Sequence, residues 1–262
     1  GVILDWAGTT LDYGCCAPAV VFIEVFKRQG VAITMEQARE PMGAHKRTHI
    51  QKIAQIDAVR KQWTQVHGSP PTEADIDRMY EEFIPLQLDC LADYADLVPG
   101  CNETIAAFRE RGLKIGTCTG YNREMTDVVI AEAAERGYSA DASVCAAEVP
   151  AGRPAPWMCF VVAMELGVYP MEALVKVGDT IPDIDEGINA GMWTVGVVMT
   201  GNEMGLGLEE IEALDPGVRA QKRERAYTRM ARAGAHYVVD SIVDVPALLD
   251  DIDMRLARGQ KP

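Results

Sequence analysis

The chain has 262 residues, 48% of them hydrophobic, and its 25 Lys+Arg against 39 Asp+Glu give a formal charge of −14. This length suits a large α/β domain with a smaller companion, and the acidic balance would repel a phosphate backbone, so nucleic acid is excluded as an expected partner. No apolar run approaches the roughly 18 residues of a membrane span, and the seven cysteines, odd in number and without a C-x-x-C pair, argue against a disulfide framework or zinc ribbon and for reduced thiols in a cytoplasm.

Read along the chain, Val2-Ile3-Leu4 is an apolar run ending in Asp5, the pattern of a strand buried on both faces rather than of a signal peptide. Helical spacing follows over about 17–28, Thr34-Met35-Glu36-Gln37 matches a capping box, and further helix is expected over 45–66 and, after Gly68-Ser69-Pro70-Pro71, from Thr72 to about Ala92. Nothing between 14 and 92 reads as a strand. Beyond Pro99-Gly100 strand and helix alternate: helix to Arg111, strand Leu113–Thr119, helix 123–136, helix 157–166, strand Leu174–Gly178, helix 183–190, strand Trp193–Val198, helical character to Ala233, strand His236–Val239 and a last helix. Such repetition predicts an α/β fold with a doubly wound parallel sheet. Residues 1–13 and 93–262 would form a Rossmann-like core, with 14–92 as an inserted all-helical cap over the carboxyl edge of the sheet.

In an open parallel sheet, ligands sit beyond the carboxyl ends of the strands. Three strand ends carry polar residues there: Asp5, Thr119-Gly120, and Asp179 with Asp183. Carboxylates at neighbouring strand ends repel each other unless a hard cation lies between them, and an all-oxygen donor set suits Mg²⁺. Each residue alone also has an ordinary reading, Asp as a turn former and Thr as a helix cap.

Taken together, Ile3-Leu4-Asp5-Trp6-Ala7-Gly8-Thr9-Thr10, Thr119-Gly120, Arg153-Pro154 and Gly178-Asp179-Thr180-x-x-Asp183 resemble, in content and order, the haloacid dehalogenase-like phosphotransferases over essentially the whole chain. The resemblance implies that Asp5 attacks phosphorus and that Thr119, Gly120 and Arg153 hold the phosphoryl oxygens. It implies further that Asp5, the Ala7 carbonyl, Asp179 and Asp183 organise Mg²⁺. One position departs from most phosphatases of that superfamily: Ala7 stands where they carry the Asp that protonates an alcohol leaving group. Asp5-Trp6-Ala7-Gly8-Thr9-Thr10 is similar instead to the signature of the phosphonoacetaldehyde hydrolase family, and Pro41-Met42-Gly43-Ala44-His45-Lys46-Arg47-Thr48-His49 resembles its Schiff-base segment. The expected reaction is hydrolysis of the carbon–phosphorus bond of phosphonoacetaldehyde to acetaldehyde and phosphate. A lysine imine accepts the electrons of the broken bond, which assigns Lys46 the covalent role and His49 proton transfer. Met42, Cys15 and Tyr121 match residues lining the family site. Lys46 must be neutral to attack, so burial or a nearby cation, Arg47 or His49, should lower its pKa. The resemblance also implies a homodimer through the cap and a small phosphonate as substrate. The rival readings are a phosphomonoesterase or mutase on the same fold, set against Ala7, and a degenerate phosphate-binding protein, set against the surviving motif residues.

Other signals are weaker. His45 and His49 have zinc-ligand spacing but no companion glutamate. Gly201-Asn202-Glu203-Met204-Gly205 lacks the ending of a phosphate loop and reads as a turn, and the basic stretch Arg219–Arg232 as a solvated helix face.

Overall fold

A computed structural model describes all 262 residues. Six parallel strands, β1 (Val2–Leu4), β2 (Ile115–Thr119), β3 (Ala142–Cys145), β4 (Val175–Gly178), β5 (Trp193–Val197) and β6 (Tyr237–Val239), form one sheet in the order β3-β2-β1-β4-β5-β6. Val2 registers with Ile115 on one side and with Val175 on the other. The direction of winding therefore reverses beside β1, and the crevice at that reversal is where a doubly wound sheet binds its ligand.

Alternation along β1 divides its side chains between two apolar clusters. Val2 and Leu4 join Phe108, Met125, Val129 and Leu249 on one face, while Ile3 joins Cys118, Met158 and Val162 on the other. The first face is covered by α6 (Cys101–Glu110), α7 (Arg123–Glu135) and α12 (Val245–Ala257); on the other, α8 (Trp157–Leu166) packs on β2 and β3. A further helix, α9 (Ile181–Asn189), packs on β4 and β5; α10 (Leu208–Ala213) and α11 (Pro216–Arg232) precede β6.

Between β1 and β2 lie α1 (Cys16–Arg28), α2 (Met35–Arg39), α3 (Lys46–Gln55), α4 (Asp57–His67) and α5 (Glu73–Leu91), with no strand among them, as the sequence predicts. Capping boxes at Thr34 with Gln37 and at Thr72 with Asp75 start α2 and α5. Phe22 of α1 stacks on Phe83 of α5 with ring centroids 4.6 Å apart. The apolar cluster that contains Val177 of β4 also contains Trp63 and Met79 of this helical insertion, so the insertion shares its core with the sheet.

Two expectations need correction. The helix over 45–66 is two helices, because Ile56 turns to an extended ψ of 127°. Strand β3 is an element that the sequence does not announce: Ala142-Ser143-Val144-Cys145 offers small residues in place of a β-branched run, and its position is fixed by Asp141, whose N–H donates to Ile115 O at 2.7 Å. No helix is long and apolar enough to cross a membrane.

Candidate active site

Parallel pairing places the ends of β1, β2 and β4 side by side, and with them Asp5, Thr119 and Asp179. The Asp5 N–H continues the ladder to Val177 O at 3.0 Å, and the chain then curls so that Trp6 O accepts from the N–H groups of Thr9, Thr10 and Leu11. Thr10 Oγ1 donates to the carbonyls of Asp5 and Trp6, which holds the curl shut. Gly8 is required within it: its φ is +81°, and a Cβ would stand 2.2 Å from Asp179 Oδ2.

Beneath these strand ends lies a buried charge network. Arg153 donates from Nη2 to Asp5 Oδ1 and to Cys118 O, both at 2.8 Å, and from Nε to Glu186 Oε2 at 2.9 Å. Its Nη2 is also 3.0 Å from Asp183 Oδ1. Nη1 makes no hydrogen bond, and Arg153 lines the cavity described below, so one edge of the guanidinium is left for an anion. Lys176, inside β4 and fully buried, donates to Asp183 Oδ1 at 2.7 Å. Burial tends to push the Asp183 carboxyl up, but Arg153 and Lys176 outweigh it and hold its pKa below the ordinary value. Asp179 lacks such partners. Burial, with repulsion from Asp5 and Asp183, drives its pKa well up, and its Oδ1 is buried with no hydrogen bond. Burial likewise pushes Asp5 up, against the lowering effect of Arg153.

Asp5, Asp179 and Asp183 bring carboxylate oxygens within 4.8 Å of one another. With Glu186 they are four carboxylates against two cations, Arg153 and Lys176, which leaves two negative charges uncompensated. The orphaned Asp179 oxygen and this deficit fit a divalent cation with hard oxygen ligands. A second group, Cys118, Cys159 and Glu186, is also close-set, but Arg153 and Lys176 stand against its glutamate at 2.9 and 3.7 Å and oppose a metal there.

A narrow cavity opens over the strand ends, with Asp5, Ala7, Thr119, Gly120, Tyr121, Arg153 and Thr180 on the sheet side and Cys15, Pro18, Met42, Gly43 and Lys46 on the helical side. Gly120 lets the two sides meet, since a Cβ there would lie 2.8 Å from Ala44 O. Lys46, the first residue of α3, is buried, with Nζ 4.8 Å from the centre of the Tyr121 ring and 5.7 Å from that of Phe22. Ala7, Cys15, Ala19 and Met42 form a small apolar cluster at this wall. Burial lowers the pKa of Lys46; Cys15 and Asp5 work against that, and Arg153 adds to it. A larger open cleft is lined by Arg39, Glu40, Lys222 and Arg229 among others. It gathers neither a nucleophile nor a carboxylate cluster, so its size does not make it the reactive site.

All the expected site residues except His49 thus line the cavity or belong to the acid cluster beside it. His49 lies one turn along α3, fully buried, with its ring 3.8 Å from that of Phe22 and its Nε2 donating to Ala38 O at 2.8 Å. Burial holds its pKa well below the usual histidine value, so it is a neutral ring with an unpartnered Nδ1 and not the cation expected beside Lys46. Arg47 also fails that expectation: it turns outward to Glu73 at 2.8 Å and Asp77 at 2.6 Å on α5. The cation that lowers Lys46 is Arg153, reached only through the fold.

Sequence reasoning also missed Lys176 and Glu186, which steady Asp183 and Arg153. Glu186 follows Asp183 by three residues on α9, a spacing that puts both on one helix face and could have signalled it. Asp12 was missed too. Its carboxylate accepts from the N–H groups of Cys16 at 2.9 Å and Ala17 at 3.1 Å, so it caps α1 where the chain leaves the sheet.

Comparison with known proteins identifies the family and the fold. A family model described as haloacid dehalogenase-like hydrolase matches residues 1–191. A protein of Nitratidesulfovibrio vulgaris named phosphonoacetaldehyde hydrolase is 50% identical over 261 residues, covering 100% of this chain and 93% of the relative. One of Bacillus cereus with the same name is 48% identical over 252 residues, 96% of each chain. The crystal structure of a phosphonoacetaldehyde hydrolase-like protein from Oleispira antarctica superposes with a TM-score of 0.98 at 42% identity, covering 100% of this chain and 95% of that one. A β-phosphoglucomutase from Clostridium difficile, at 17% identity and a TM-score of 0.69, shares the fold.

Proposed function

The chain belongs to the haloacid dehalogenase-like hydrolase family, and from that membership and its site we propose that it hydrolyses the carbon–phosphorus bond of phosphonoacetaldehyde, giving acetaldehyde and phosphate. The observation that carries this reading is the joint presence, around one cavity, of a carboxylate nucleophile, a buried lysine of lowered pKa, and alanine in place of a leaving-group acid: Asp5, Lys46 and Ala7. The relatives at 48 and 50% identity carry the name of this activity.

In the proposed sequence, neutral Lys46 Nζ adds to the aldehyde carbon, and the carbinolamine expels its hydroxyl, which leaves as water with a proton taken from solvent, to give a protonated imine. Asp5 attacks phosphorus with Oδ2, the oxygen not bonded to Arg153. As the new O–P bond forms, the C–P bond breaks, and its electron pair passes into the imine to give an enamine. No proton is needed from position 7, because the imine has taken up the charge. The enamine is protonated on carbon, and water releases acetaldehyde and restores Lys46; a second water releases phosphate from Asp5. Arg153 Nη1 and the Thr119 hydroxyl hold phosphoryl oxygens. In this reading neutral His49, three residues along α3 from Lys46, carries the unprotonated Nδ1 that exchanges protons with that amine. Asp5, the Ala7 carbonyl, Asp179 and Asp183 would hold Mg²⁺, whose contribution when bound is to offset charge on the transferring group. The same reading includes a homodimer formed through the helical insertion.

Phosphate release from phosphonoacetaldehyde, compared with release from a simple phosphate monoester in the presence and absence of Mg²⁺, tests the proposal. Release from the phosphonate alone, dependent on Mg²⁺, is expected. Faster release from the ester would transfer the function to the phosphomonoesterases.

A further inference from the structure

Arg39 is a buried cation with no carboxylate partner. It ends α2, and its Nη1 donates to the carbonyls of Gly14 at 2.7 Å and Cys15 at 3.1 Å, in the segment that leads from the sheet into α1. The same nitrogen reaches Oδ1 of Asn202, in the turn after β5, at 3.2 Å; Nη2 touches Cys16 Sγ, and Nε has no partner. Arg39 also borders the larger open cleft, but none of these contacts is to a carboxylate, and an ion pair would replace more of the hydration it gives up. An apolar side chain in its place would take this donor from those carbonyls, so Arg39 ties the end of α2 both to the start of α1 and to the turn after β5.

Its contact with Asn202 leads to the acid cluster. The backbone N–H of Asn202 donates to Asp179 Oδ2 at 2.8 Å, and its side-chain Nδ2 reaches back to Arg39 O at 3.4 Å. The turn is pressed on Asp179, since a Cβ on Gly201 would stand 2.4 Å from the Asp179 Cβ. With Oδ2 engaged, Oδ1 is the oxygen left without a partner.

We propose that Arg39 and Asn202 are positioning residues that make the orientation of Asp179 depend on how the helical insertion is seated. Arg39 fixes the turn, the turn holds one oxygen of Asp179, and the other oxygen is thereby presented to a cation. Without the link, the turn keeps its backbone donor and the bonds of Thr200 to Gly8 and Gly14 but loses its tie to α2, and the carboxylate samples orientations that ligate poorly. Groups that orient a ligating carboxylate typically change metal affinity by tenfold or more. This inference rests on the reading of Asp179 as a cation ligand.

Calorimetric titration of the metal-free full chain with Mg²⁺ tests both, using wild type, Asp179→Asn, Arg39→Met, Asn202→Ala and the double variant of the last two. Asn202→Ala removes the side-chain link and keeps the N–H that bonds Asp179, so it decides the matter even if Arg39→Met folds poorly. The expectation is loss of binding in Asp179→Asn, and an increase in Kd of about tenfold in Arg39→Met and in Asn202→Ala, with the double variant no weaker than the weaker single one. Lowered melting temperatures with unchanged Kd, or effects that multiply in the double variant, would overturn the relay. Wild-type affinity in Asp179→Asn would overturn the reading of Asp179 beneath it.

Discussion

A lysine attacks a carbonyl only after losing its proton, and burial lowers the pKa of Lys46. Turnover should therefore rise with pH through that lowered pKa, since below it the amine is protonated and inert. Arg47, although adjacent in sequence, is committed to Glu73 and Asp77 at the surface. Arg47→Ala should leave the rising limb of the pH–rate profile in place and cost at most about 1 kcal/mol of stability; a limb displaced to higher pH would show that Arg47 does depress Lys46. Ala7 makes the complementary prediction. It lines the cavity beside Asp5, so Ala7→Asp adds a negative charge near the phosphonate without supplying a needed acid. Steady-state rates at saturating Mg²⁺ should show loss of phosphonoacetaldehyde cleavage, with weak hydrolysis of phosphate esters as the accompanying gain. Faster phosphonate cleavage would mean that the leaving group needs an acid after all.

The start of α1 is where the chain passes from the sheet to the helical insertion, and Asp12 secures it through two backbone N–H groups. Burial pushes its pKa up from 3.8 to about 7. Between those values the folded state binds a proton that the unfolded state does not, so this contribution to stability falls as pH rises from about 4 to 7 and is level outside that window. Asp12→Asn removes the titration. Urea unfolding at several pH values should show the variant gaining on wild type as pH rises across the window, and parallel curves would contradict the burial argument. The elements themselves are largely legible in the sequence: strand ends at Asp5, Thr119 and Asp179 follow from apolar runs meeting polar residues, and the capping boxes announce α2 and α5. Residues supported by distant neighbours are not. Lys176 reads as an ordinary surface lysine until β4 is seen buried on both faces, Arg39 reads as the exposed end of a short helix, and β3 lacks the branched residues that mark a strand.

Across the whole molecule, charge balance sets the behaviour of the site. Four buried carboxylates face two buried cations, and without a further cation protons relieve the deficit, chiefly on Asp179, while Glu186 is pushed up to about 8. Mg²⁺, held there as proposed, must then compete with protons. Its stabilisation of the fold, about 2.7 kcal/mol at a hundred times Kd, should raise the melting temperature more at pH 8 than at pH 6 at one fixed Mg²⁺ concentration, and Asp179→Asn should abolish the difference. An equal rise at both pH values would show that the cation binds elsewhere. The fold brings Lys46 from the helical insertion and Asp5 from the sheet to one cavity, and the central claim is that the two act covalently on one substrate. Borohydride reduction during turnover of phosphonoacetaldehyde, followed by peptide mapping, tests it most directly: inactivation that requires the aldehyde, with the reduced adduct on Lys46 and none formed in Lys46→Arg, is the predicted result, and an adduct on another lysine, or turnover that survives borohydride unmodified, would contradict it.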